Sequence, residues 1–140
     1  MKILSLFGIL GLLLTSCTSA EDPKSDAANK KTSASTKPIH VDPLLATGII
    51  QTEKPVLLDV RTPGEFTTGT IKGSRNLDFN SPDFEEQIAK LDKSKTYLVY
   101  CRSGNRSGQA LPMLEKLKLS KLYHLDGGIK AWKGAGNPVD

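Results

Sequence analysis

The stretch that decides the reading is Tyr97, Leu98, Val99, Tyr100, Cys101, Arg102, Ser103, Gly104, Asn105, Arg106, Ser107 (YLVYCRSGNRS). Tyr97 to Tyr100 is an apolar run within a predicted strand, Thr96 to Tyr100. Beyond it, Leu111, Met113, Leu114 and Leu117 form a helical pattern. Strand, tight glycine-containing loop and helix is therefore the predicted order. It turns several backbone N–H groups, and the positive end of a helix dipole, toward whatever lies inside the loop. Here that object is a cysteine sulfur. An ordinary thiol titrates near ~8.5 and is only about 3% thiolate at neutral pH, and a lowering of about two units would make most of it thiolate. The loop is predicted to prepare a nucleophile at Cys101.

Upstream, Val56 to Asp59 (VLLD) is a short continuous apolar run, the signature of a strand covered on both faces, and Arg75 to Phe79 is another short strand. Asp42 as N-cap, Pro43 at the first helical position and an apolar face of Leu44, Leu45, Ile49 and Ile50 predict a helix ending near Thr52. Thr62, Pro63, Gly64, Glu65 and Phe66 read as a turn or a single helical turn. Ser81, Pro82 and Asp83 start a helix whose buried stripe is Phe84, Ile88 and Leu91. Downstream, Pro112 is expected to bend the helix after the loop. Leu122 to Leu125 is the last strand, Asp126, Gly127 and Gly128 a turn, and Ile129 with Trp132 a short helix. Strands alternating with helices predict one layered α/β domain, residues 41–140.

The amino-terminal part has a different composition. Residues 3 to 14 (ILSLFGILGLLL) are an apolar run behind Lys2, long enough for a signal peptide and too short for a bilayer span of about 20 residues. The run ends in Leu14, Thr15, Ser16, Cys17, which resembles the bacterial lipobox and implies a signal peptide of residues 1–16 and a lipidated Cys17. Cleavage after Ala20, releasing a soluble protein, is the rival reading. Residues 17–40 are expected as a linker, since Thr18 to Pro38 contains no Leu, Ile, Val, Met or aromatic residue and cannot offset the entropy of ordering. The implied location is the cell envelope, with the membrane reached through the lipid anchor.

Charge and residue counts exclude several classes. The net charge of +4 is spread along the chain with no block of five like charges, so nucleic acid is not an implied partner. Two cysteines, Cys17 and Cys101, and two histidines, His40 and His124, allow no cluster with zinc-like spacing, and no metal or other cofactor is expected. His40 is expected at the linker's edge and His124 as a partly exposed strand residue, neither in the mechanism.

Three landmarks in order, Leu58-Asp59-Val60-Arg61 through Glu65 and Phe66 with Gly69, Ile71 and Gly73, then CRSGNRS, then Asp126-Gly127-Gly128 followed by Trp132, resemble the rhodanese family of sulfurtransferases over Val41 to Val139. The resemblance implies a mostly parallel central sheet with helices on both faces, and a Cys101 that cycles between thiol and persulfide. A small anionic donor such as thiosulfate would supply the sulfur, and a thiol or cyanide, or a partner protein, would accept or exchange it. Arg102, Ser103, Gly104, Asn105, Arg106 and Ser107 would bind the substrate, their amides cradling the sulfur and both arginines attracting the anion at the rim. Asp59 and Arg61 are expected to fasten the neighbouring turn, and Phe66 and Trp132 to pack in the core. Thr70 stands where many relatives carry histidine.

Two rival readings remain. Cysteine phosphatases and arsenate reductases resemble the same strand, loop and helix, but with five residues between Cys and Arg, whereas Cys101 and Arg106 are separated by four. A module that carries or senses a persulfide without turnover would have the same loop as a transferase.

Overall fold

A computed structural model of the chain describes residues 36–140. The expected signal peptide, Cys17 and most of the linker lie outside these residues. Among the described residues no helix is long and apolar enough to cross a membrane.

The elements run β1 (Ile39–Val41), α1 (Pro43–Thr52), β2 (Val56–Asp59), α2 (Pro63–Thr67), β3 (Arg75–Asn76), α3 (Phe84–Ala89), β4 (Thr96–Tyr100), α4 (Asn105–Lys116), β5 (Lys121–Leu125) and α5 (Gly128–Gly134). The five strands form one parallel sheet in the order β1-β5-β4-β2-β3. Alternation along each strand divides the interior. Tyr97, Val99 and Cys101 face a core shared with Phe84 and Ile88 of α3 and Leu111 and Leu114 of α4. Leu98 and Tyr100 face a second core with Ala46 of α1 and Ile129 and Trp132 of α5. A continuous apolar strand such as β4 is thus buried on both faces, as its composition requires.

Local signals account for several boundaries. Asp42 accepts from Leu45 N at 2.8 Å and Pro43 opens α1. Thr62 and Glu65 form a reciprocal capping box at the start of α2. Four expectations need correction. The strand β1 takes Ile39 and His40 from the segment read as linker, because pairing with β5 supplies the hydrogen bonds that three residues could not make alone. On α1, Leu44 and Leu45 are 81% and 59% exposed, and the buried side is Ala46 with Ile49 and Ile50 partly covered. The third strand stops at Asn76. Phe66 is half-buried and belongs to neither core, unlike Trp132, whose indole N–H also donates to Pro138 O at 2.9 Å. The helix α4 continues through Pro112 to Lys116.

The strand order positions the site. After β2 the chain moves to β3 on one side, and after β4 it moves to β5 on the other, so the loops leaving these two adjacent strands diverge. Such a divergence at the carboxyl ends of parallel strands opens a crevice. The loop after β4 is Cys101 to Gly104, and the loop after β2 carries Val60 and Arg61.

Candidate active site

Cys101 is 1% exposed, and its sulfur lies inside the turn that follows β4. Gly104 N donates to Sγ at 3.2 Å, and the Ser107 hydroxyl lies 3.5 Å from it. Burial pushes the thiol up, yet the donors outweigh it: the Ser107 hydroxyl with the amides of Ser107, Ser103 and Gly104 hold Cys101 below the ordinary thiol value. The turn depends on Gly104, which takes φ of 94° immediately before α4, a conformation that L side chains rarely adopt.

The loop is also held from beneath. Ile129 N and Lys130 N, at the start of α5, donate to Cys101 O and Arg102 O at 2.9 and 3.0 Å. The free N–H groups of one helix start thus satisfy the loop carbonyls, leaving the loop amides available to the sulfur. Gly128 makes this approach possible: a Cβ there would stand 2.4 Å from Cys101 O.

The two loop arginines have different fates. Arg106 forms a two-pronged pair with Glu65, at 2.7 and 2.8 Å, and that pair holds the Glu65 carboxyl down to about 2. Arg106, expected at the rim as an attractor of the anionic donor, is paired with Glu65 and ties the α2 capping box to the cysteine loop. Arg102 is exposed and makes no side-chain ion pair or hydrogen bond among the described residues. It lines an open cleft of about 390 Å³ with Arg61, Glu65, Thr68, Lys130 and Lys133. Ser103 contributes its amide, and Asn105 points away to an exposed hydrogen bond with Gln109.

Asp59 and Arg61 are both buried and joined by bonds of 2.6 to 3.0 Å, while Arg61 also donates to Gly69 O at 2.8 Å. Thr70 bridges this pair to the neighbouring strand: its hydroxyl lies 3.2 Å from Asp59 Oδ2 and 2.7 Å from the Tyr100 hydroxyl. These contacts fasten the β2 loop against β4.

His124 departs from its expected place. It is buried, with Nε2 2.9 Å from Ser107 Oγ, and Nδ1 3.1 Å from Asp126 and 3.2 Å from His40 Nδ1. Burial, followed by the neighbouring His40, lowers its pKa below the ordinary histidine value. Spacing along the chain predicts no cluster of metal-ligand type; strand pairing nevertheless brings donor atoms of His40, His124 and Asp126 within 4.8 Å of one another. Only the register between β1 and β5 carries that signal.

A family model for the rhodanese-like domain matches residues 44–135. The chain belongs to the rhodanese-like domain family. Curated relatives of this rhodanese-like chain include sulfurtransferases. Thiosulfate sulfurtransferase GlpE of Stutzerimonas stutzeri is 40% identical over 79 residues, covering 56% of this chain and 70% of that protein. A sulfurtransferase of Allochromatium vinosum is 33% identical over 95 residues, covering 68% and 87%. Other relatives are longer: the match spans 49% of an uncharacterized protein of Synechocystis sp. and 20% of a probable adenylyltransferase/sulfurtransferase of Mycobacterium tuberculosis. Among solved structures, a rhodanese-related protein from Thermoplasma volcanium superposes with a TM-score of 0.65 at 31% identity, covering 73% of this chain and 97% of that one. The parallel five-stranded sheet flanked by helices is the rhodanese-like α/β fold.

Proposed function

We propose that the chain is a sulfurtransferase that moves a sulfane sulfur from an anionic donor such as thiosulfate to cyanide or a thiol, through a persulfide on Cys101. The observation that carries this reading is the sulfur environment: one buried cysteine with amide and hydroxyl donors turned onto it, beside a cleft rich in cations. In the first half-reaction the thiolate electron pair forms a bond to the outer sulfur of thiosulfate. The sulfur–sulfur bond of the donor breaks, and sulfite leaves with the electron pair of that bond. In the second, the acceptor attacks the outer persulfide sulfur and the Cys101 thiolate returns. No external oxidant is needed, because the sulfane sulfur moves at constant total electron count.

The negative charge of the intermediate rests on the outer sulfur, where the loop amides can stabilise it. Arg102, Lys130 and Lys133 supply positive potential for the anionic donor. The GlpE relative carries thiosulfate in its name, which makes that donor the first to test. The short loop, with four residues between Cys101 and Arg106, argues for a single sulfur over a tetrahedral oxyanion. We further propose lipid attachment at Cys17 on the extracytoplasmic face of the cell envelope, supported by the apolar run and the Leu14-Thr15-Ser16-Cys17 sequence.

Intact-mass measurement before and after thiosulfate, with cyanide added last, tests the chemistry. The expected result is a gain of one sulfur atom that cyanide removes and that Cys101→Ser abolishes. A reactive thiol with no gain would refute thiosulfate turnover and favour a carrier loaded by a partner protein.

A further inference from the structure

We propose that His40, His124 and Asp126 form a divalent-cation site of the zinc class, on the α4 face of the sheet and one side chain removed from the cysteine loop. Topology brings the three together. His40 is the direct register partner of His124 across the parallel β1–β5 pair, and Asp126 lies two residues beyond His124. Alternation along the strands puts all three on one face. Val41, Tyr123 and Leu125, their chain neighbours, fall in the core on the opposite face.

The donor atoms converge. His40 Nδ1 to Asp126 Oδ1 is 2.7 Å, His124 Nδ1 to Asp126 Oδ1 is 3.1 Å, and the two Nδ1 atoms are 3.2 Å apart. Bonds of about 2.0–2.1 Å from a tetrahedral zinc place its ligands about 3.3 Å from one another, so a small closing or opening of these edges accommodates the ion. Imidazole nitrogen with carboxylate oxygen is a borderline donor set suited to zinc, and not the all-oxygen set of calcium or magnesium.

A second feature distinguishes the cluster from an ordinary hydrogen-bonded trio. The nitrogen of His124 that does not face the cluster is held by Ser107 Oγ at 2.9 Å, the outer-shell support that orients a metal-bound histidine. His40 and Asp126 side chains are 54% and 51% exposed, so an ion has an entry path and water can complete the coordination. Coordination at Nδ1 leaves the His124 ring proton on Nε2, where it donates to Ser107 Oγ. The Ser107 proton then faces Gly104 O or Cys101 Sγ. Occupancy would thus be sensed one hydroxyl away from the nucleophile.

The test is calorimetric titration of Zn²⁺ into the full chain carrying Cys17→Ser and Cys101→Ser, so that no thiol competes. The expected result is one ion per chain with micromolar affinity, weakened at least about tenfold by either His40→Ala or Asp126→Asn. Unfolding temperatures of those variants without metal should match their parent, since both side chains are half-exposed. Absence of binding up to millimolar Zn²⁺ would overturn the proposal and leave a hydrogen-bonded cluster only. Binding that survives either substitution would equally overturn this ligand set.

Discussion

Cys101 is held below the ordinary thiol value against its own burial, by the Ser107 hydroxyl and the amides of Ser107, Ser103 and Gly104. Removing the Ser107 hydroxyl isolates its share. Ser107→Ala is expected to move the Cys101 titration upward, measured as ultraviolet thiolate absorption against pH. The sign follows from the shift: the lowered value keeps the thiolate populated below the usual thiol range, and transfer falls as pH drops through the folded value. An unchanged midpoint would assign the lowering to the loop amides and the Arg106 guanidinium. Arg102 acts at the same scale by charge and without an internal partner. Arg102→Ala is expected to weaken thiosulfate turnover more than turnover of an uncharged donor, read from kcat/KM for each. The difference should shrink as salt is raised, because screening acts on an exposed charge; equal losses for the two donors would remove the steering role.

At the scale of elements, the loop is a product of what lies on either side of it. Below, α5 donates to the loop carbonyls, and Gly128 leaves room for that approach. Gly128→Ala would put a Cβ 2.4 Å from Cys101 O and 2.8 Å from Arg102 O, at a φ of 58°. Backbone cannot yield as a flexible side chain can, so transfer is expected to fall sharply and stability by about 1–3 kcal/mol. Denaturant unfolding and single-turnover sulfur transfer measure the two losses. Beside the loop, the Asp59–Arg61 pair and Thr70 fasten the turn after β2. Arg61→Met would strand a fully buried carboxylate, and a loss of about 3–5 kcal/mol is expected in equilibrium unfolding. Replacing both partners by apolar residues should recover part of that loss, which separates the cost of an unpaired charge from the worth of the pair.

At the scale of the whole molecule, the divergence of the chain after β2 and β4 puts the nucleophile at the carboxyl edge of the sheet. The amino-terminal sequence adds a proposed attachment to the envelope. Cys17→Ser is expected to move the protein from the membrane fraction to the soluble fraction, or to leave its signal uncleaved, when cell fractions are compared by mass. A membrane association that Cys17→Ser leaves intact in protein whose signal has been cleaved would refute anchoring at that residue. What the amino-acid sequence determined by itself was local. It specified the apolar run of β4, the CRSGNRS loop with its nucleophile, the Asp42 and Pro43 start of α1, and the strand–helix alternation of the fold. Periodicity, capping and turn chemistry act within a few residues, so each could be read in place. Tertiary structure alone decided that Arg106 is occupied by Glu65, that Leu44 and Leu45 face away from the core, and that His40 meets His124 and Asp126. Those outcomes depend on which strands pair and in what register, across separations of 41 and 86 residues, and neither helix nor strand periodicity encodes a partner that far along the chain.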